Sequence, residues 1–162
     1  MQELLDRLLA ALALAGIRAQ EALPSKLVPQ LKAPMTAVGI SKVTHGPAGL
    51  GGYLGTREDI QTGAKAVYGA LMEAEVFFKI ASPVHLGGGR CFREAMAVLD
   101  VLLGGIGGVE ILGCRMDRCQ YDARTDQFTC AVAADLRAAV YLERTEAGEE
   151  SFADFQLKGE VQ

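Results

Sequence analysis

From Leu71 to Ala81, Met72, Ala74, Val76, Phe78 and Ile80 alternate with Leu71, Glu73, Glu75, Phe77 and Lys79. A period of two held this long predicts a half-buried strand, and Pro83 ends it. The same period returns from Phe128 to Glu143. There Phe128, Cys130, Val132, Ala134, Leu136, Ala138, Val140 and Leu142 share one face. At about 3.4 Å per residue that run would extend about 54 Å, so a bend or bulge is expected near "AADLRAA". Phe152 to Val161 alternates again and predicts a third strand of an antiparallel meander with the one expected over Val109–Cys119. Thr36 to Val43 also has strand composition, with Val38 and Ile40 on one face, and Ile17 to Ala22 predicts a short strand.

Two stretches switch to the helical period. Leu4, Leu5, Leu8, Leu9 and Leu12 recur within Gln2–Ala15, and Gly16 supplies a stop. From Arg90, the stripe Phe92, Met96, Leu99 and Leu103 falls at steps of four, three and four before Gly104 and Gly105. The elements therefore predict an α+β fold. Two main helices, with the stripes Leu4/Leu5/Leu8/Leu12 and Phe92/Met96/Leu99/Leu103 facing inward, pack on a mainly antiparallel β-sheet.

Between these elements lie two irregular regions. Pro24, Pro29 and Pro34 break Leu23–Pro34 into a loop or an edge. The segment 44–67 carries six glycines in 24 residues and predicts a flexible loop that orders against a neighbour. Residues 121–127, "YDARTDQ", predict a polar turn. With 162 residues, 1–162 is expected to be one domain.

Composition narrows the function. Half the residues are hydrophobic, there is no tryptophan, and the net charge of −4 comes without a basic cluster. That speaks against specific nucleic-acid binding. The apolar run "LLAALALAG" is too short to cross a bilayer and follows no basic leader, so no membrane partner is expected. Cys91, Cys114, Cys119 and Cys130 form no CxxC pair and are expected to be reduced, small apolar residues in a cytoplasmic setting.

The stretch most suggestive of chemistry is "HLGGGRCFREAM", 85–96. A phosphate loop needs a Lys and a Ser or Thr after its glycines, whereas Arg90 and Cys91 follow here. The GxGxxG spacing is also missing. A Cys91–His85 pair lacks an orienting third group. The glycines are expected instead to free the backbone for a strand-to-helix joint. His45 is in no metal-binding spacing, and Asp122 and Asp126 lack the rest of a calcium loop. No catalytic, cofactor-binding or metal-ligating residue is assigned, and no cofactor is expected.

The order of helix, short strand, strand, long loop, strand, helix and meander resembles the tail terminator proteins of long-tailed bacteriophages. More broadly it resembles the small tail-completion and head–tail joining proteins. The resemblance rests on "ELLDRLLAALALAGI", on "AEVFFKIASP" followed by the second helix, and most on "CRMDRCQYDARTDQFTCAVAADLRAAVYLERTE". The chain departs from it in the glycine-rich 44–67 segment and in an additional C-terminal strand at 151–162. The resemblance implies a structural, non-enzymatic bacteriophage or prophage protein. It would form a homo-oligomeric ring, commonly hexameric, at the head-proximal end of the tail tube. Its partners would be itself, the tail tube protein and head-completion or neck proteins. It would assemble in the bacterial host cytoplasm and end in the virion tail or neck. Two alternatives stand beside it. One is a small α+β enzyme or ligand-binding domain with a site around His85, Arg90 and Cys91. The other is an adaptor that binds one protein through 44–67.

Overall fold

The computed structural model describes residues 2–22, 31–47, 52–59 and 63–141. Helix α1 (Gln2–Leu14) leads through Gly16, held at φ +75°, into β1 (Ala19–Glu21). Then come β2 (Met35–Pro47), β3 (Tyr53–Asp59) and β4 (Gly63–Pro83). A single 3-10 turn over Val84–Leu86 precedes α2 (Gly88–Leu103). The chain ends its described part with β5 (Val109–Met116), β6 (Gln120–Asp122) and β7 (Gln127–Tyr141).

The main sheet has the order β1-β2-β4-β7-β5, with β6 beside β7 and β3 beside β4. Among the described residues only β1 and β2 run parallel; the remaining pairings are antiparallel. The fold is α+β, with both helices packed on the sheet.

The alternation in β4 gives the physical reason. Met72, Ala74, Val76, Phe78 and Ile80 are buried, and their neighbours on β7, Cys130, Val132, Ala134 and Leu136, are buried beside them. Together with Leu4, Leu5, Leu8 and Leu12 of α1 they make the core. The intervening side chains Glu73, Lys79 and Asp135 face outward and are exposed.

The expected break in the long strand is absent from β7. Its register with β4 runs without interruption from Gly69↔Tyr141 to Pro83↔Gln127. The irregularities fall on the flanking strands instead. β2 shifts register between Ile40 and Lys42, opposite Val76 and Glu75. β5 shifts between Ile111 and Gly113, opposite Leu136 and Asp135. Because Glu75 pairs with Asp135, the two bulges sit at one level of the sheet. A bulge increases twist locally on its own strand, and here both bulges leave the β4–β7 ladder in register.

Three further expectations need correction. The segment 44–67, expected as a loop, is strand in its described parts apart from Gly52: the end of β2, all of β3 and the start of β4. Glycine content concealed a hairpin whose register is set by cross-strand pairing, from Tyr53↔Tyr68 to Asp59↔Gly63. Part of the expected polar turn is strand β6, and the turn itself is confined to 123–126. Residues 23–30 and the strand expected at 151–162 lie outside the described residues.

The third correction concerns α2. Its buried residues are Cys91, Ala95, Val98 and Leu102, whereas Phe92, Met96 and Leu103 are 46%, 38% and 73% exposed. Leu99 is only half-buried. The expected inward stripe is one residue out of phase, a rotation of about 100° about the helix axis. The small buried side chains explain the choice: the Cys91 thiol lies 3.9 Å from the Ile80 carbonyl oxygen and 3.5 Å from that of Phe128. The helix thus approaches the sheet backbone too closely for Phe92 to fit beneath it.

This placement gives opposite outcomes for two adjacent leucines. Leu102→Ala should lower the unfolding free energy by roughly 2–5 kcal/mol, the usual cost of emptying a buried leucine site. Leu103→Ala, measured in dilute protein, should change it by less than about 0.5 kcal/mol, as for most exposed positions. Denaturant titration of both variants checks the phase of the helix, and a reversed ranking refutes it.

Candidate functional site

The joint 85–96 does not assemble a catalytic pair. Gly87 takes φ +75°, a conformation that suits glycine, and its N–H donates to the Val84 carbonyl at 2.9 Å. The chain thereby reverses from β4 into α2. His85 stays exposed on the 3-10 turn while Cys91 is fully buried beneath the helix. Arg90, also exposed, pairs with Glu94 one helical turn on, at 2.6 Å. The buried Cys91 thiol is therefore set apart from the exposed His85 and Arg90 of the enzymatic alternative.

Cys91 instead has neighbours that spacing along the chain conceals. Cys119 and Cys130 converge on it from the two sides of the β6–β7 hairpin. All four cysteines of the chain are free thiols. Cys119 reaches the Gly88 carbonyl at 3.6 Å, and Cys130 reaches the Asp117 carbonyl at 3.2 Å. Burial above all pushes the Cys91 thiol up to about 12, and Cys119 and Cys130 add to this by disfavouring a second negative charge. Burial likewise raises Cys130 and Cys114. A neutral, buried thiol is a poor nucleophile. Among the described residues no group of three His, Cys, Asp or Glu side chains is placed to hold a metal ion.

Asp122 and Asp126 serve their turn. The Arg124 N–H donates to Asp122 Oδ1 at 3.0 Å, which holds the Asp122 carboxyl below its ordinary range. Asp126, at φ 53°, accepts a hydrogen bond from the Tyr121 hydroxyl at 2.8 Å. Tyr121 in turn packs on Phe128, with ring centroids 5.6 Å apart. The "YDARTDQF" sequence is thus a self-contained hairpin corner.

The sheet face away from the helices carries the charge. Arg137 donates to Glu73 at 2.7 Å and to Glu110 at 3.4 Å, crossing three strands. Arg115 pairs with Glu75 and lies 4.0 Å from Asp135. The Arg115 hydrogen bond, with help from Ser41 on the β2 bulge, lowers the Glu75 carboxyl below its ordinary value. One shallow depression lies beside this ladder, and a second lies on the helix side of the sheet. The first, of about 250 Å³, is lined by Thr44, His45, Gly46, Leu71, Glu73 and Arg137. The other, of about 150 Å³, lies between Glu3, Arg7 and the Val109–Ala138 end of the sheet. Neither gathers a nucleophile, a base and an orienting group. Among the described residues, no helix is long and apolar enough to cross a membrane.

Two surfaces remain. One is the apolar stripe of α2. The other is a ribbon: residues 63–68 of β4 continue past the last described pairing with β7 and pair with β3. Six residues carry this ribbon about 20 Å past its last described pairing with β7.

No family model matches the chain, and no curated protein matches it. Among solved structures it is similar to the sheath/tube terminator of an extracellular contractile injection system in the extended state. That likeness has 9% sequence identity and a TM-score of 0.46, and covers 96% of this chain. The chain spans 65% of the length of that protein. It is also similar to a chain in the virion of a native gene transfer agent particle, at 20% identity and a TM-score of 0.32. There 82% of this chain and 84% of the other are covered. At TM-scores this low, neither likeness establishes a function.

The thiol cluster sets a measurable expectation. In native protein Cys91 should resist a thiol reagent and react only as fast as the chain opens, and His85→Ala should leave that rate unchanged. The sign of the alkaline dependence follows from the raised folded value. The contribution of Cys91 to stability is fully present below about pH 9, the ordinary thiol value, and is lost as pH rises through about 12. The denaturation midpoint should therefore fall as pH rises above about 9 toward about 12, and fall less in Cys91→Ala. Fast labelling of the folded protein, slowed by His85→Ala, would mark the pair as coupled and reactive.

Proposed function

We propose that this chain is a single-domain structural component of a bacteriophage or prophage tail. Within the tail it is a terminator or neck (head–tail joining) protein, acting as a ring at the head-proximal end of the tail tube. The observation that carries the proposal is the β3–β4 arm. A two-stranded ribbon is marginal in water by itself, so a ribbon extended beyond its own sheet is stabilised best by packing on another surface. In a ring, each subunit meets its neighbour through two different surfaces, and an arm reaching away from the body suits such a head-to-tail contact. The element order on which the resemblance to tail terminators rests supports the same reading. So does the separation of His85 from Cys91, which leaves the enzymatic alternative without its pair.

In this role the chain assembles with itself, with the tail tube protein and with head-completion or neck proteins. It does so in the host cytoplasm and remains in the virion. It works by shape and contact and turns over no substrate.

Deleting the gene from an inducible prophage should leave filled heads and separate tails, many with tubes of irregular length. Electron microscopy of the lysate reads this directly. Replacing residues 48–68 with a short turn joining Pro47 to Gly69 should preserve the circular dichroism of the body while reproducing the deletion phenotype. Normal virions from either strain refute the proposal. Turnover of a substrate by purified protein, lost in Arg90→Ala, would restore the enzymatic alternative.

A further inference from the structure

The α2 stripe has the composition of a helix–helix seam, yet the body of the protein covers only Leu99 of it, and that in part. Phe92, Met96, Leu99 and Leu103 follow one another at steps of four, three and four, the spacing of the apolar seam between two packed helices. The stripe is turned about 100° from the face that packs on the sheet, so Phe92, Met96 and Leu103 look sideways while Leu99 packs part-way against the core. On the opposite flank of the helix, Val101 packs against the core cluster. The open flank is therefore accessible to a second body lying beside this one.

Charge decides which body. Arg93 and Asp100 are exposed and lie seven residues apart along the outer margin of the stripe. Among the described residues, neither side chain makes an ion pair. Consider two copies of α2 laid antiparallel along the stripe, with the two-fold axis between Met96 and Leu99. Phe92 of one copy then lies level with Leu103 of the other, and Met96 with Leu99. The outer margins of the two helices run side by side, as the equivalent margins do in antiparallel coiled coils. Arg93 of each copy comes within two residues of helix rise, about 3 Å, of the level of Asp100 in the other. Both cross-pairs form at once. In a parallel pair on the same seam, Arg93 would sit opposite Gly88 and Asp100 opposite Ala95, so neither would meet an opposite charge.

We propose that the α2 stripe docks a second copy of this chain as a two-fold, antiparallel helix pair, clamped by reciprocal Arg93–Asp100 contacts. The contact is isologous and uses a surface distinct from the β3–β4 arm. It is independent of the ring reading: either can fail while the other stands. One helix face is a small interface, so the dimer is weak and concentration-dependent. It covers the apolar stripe in the free protein and opens readily.

Sedimentation equilibrium of the full chain over a concentration series tests this. The wild type should pass reversibly from monomer to dimer, and Met96→Asp should remain monomeric with an unchanged circular dichroism spectrum. Arg93→Asp places acid beside acid and should weaken the dimer roughly three- to tenfold, with Asp100→Arg doing the same through paired cations. The double variant Arg93→Asp/Asp100→Arg should return to within about threefold of wild type, because the reciprocal pairs re-form with reversed polarity. Three results each overturn the proposal: a wild type that stays monomeric at about 1 mM, self-association unaffected by Met96→Asp, or a double variant as weak as the singles. Larger oligomers that persist in Met96→Asp would support the ring contact and count against this one.

Discussion

A strand in the middle of a sheet is buried only if both of its backbone edges find partners, and β4 meets that condition over most of its length. From Ala70 to Ala81 it has β2 on one side and β7 on the other. With its ladder satisfied on both edges, the strand can commit Met72, Ala74, Val76, Phe78 and Ile80 to the interior without stranding polar backbone. The helices, the hairpin corner and the outer charges all take their positions from this strand. A one-residue slip of β4 would turn Glu73 and Glu75 into the core, so the register is held by the cost of burying charge.

The two bulges show how the sheet bends without breaking that ladder. Ser41 and Leu112 are the additional residues, one on each neighbouring strand, and they bracket the Glu75–Asp135 pair. Arg115 reaches both of these acids from β5. Exposed ion pairs contribute little to stability individually. Their effect here is geometric: Arg115 and Arg137 tie β4, β7 and β5 together at two successive levels of the outer face. A face so laced with charge is poorly suited to bury against a hydrophobic partner, which leaves the arm and the α2 stripe as the surfaces best suited to assembly.

Much of the architecture was legible in the sequence because it is written in local periods. The alternation in 71–81 and 128–141, the leucine stripe of α1 and the glycine stop at Gly16 each depend on residues near in the chain. What escaped depends on residues far apart. In α2, Cys91/Ala95/Val98/Leu102 and Phe92/Met96/Leu99/Leu103 have the same spacing, so periodicity alone does not choose between them. Hydrophobic bulk favoured the second stripe, while the closeness of the helix to the sheet required the first. The hairpin of β3 and β4 was hidden for a similar reason: glycines weaken strand propensity, and the pairing that overrides it involves residues across a turn. The meeting of Cys91, Cys119 and Cys130 had no signal in their spacing. At 85–96 the outcome was different, since the absent lysine and the absent orienting group already argued for a joint.

The small residues beneath α2 also limit how this protein can change. A helix whose Cys91 thiol touches the carbonyls of two strands has no slack below it. At its first turn, a Cβ added to Gly88 would meet the Phe128 ring at 3.2 Å. Enlarging any of these positions would lift the helix, and overpacking of that kind costs stability. Variation along the underside of α2 is therefore confined to side chains of similar size, while its flank is free to exchange one large apolar residue for another. Over evolutionary drift, the interior of this helix should stay fixed and its contacts with other molecules should diversify.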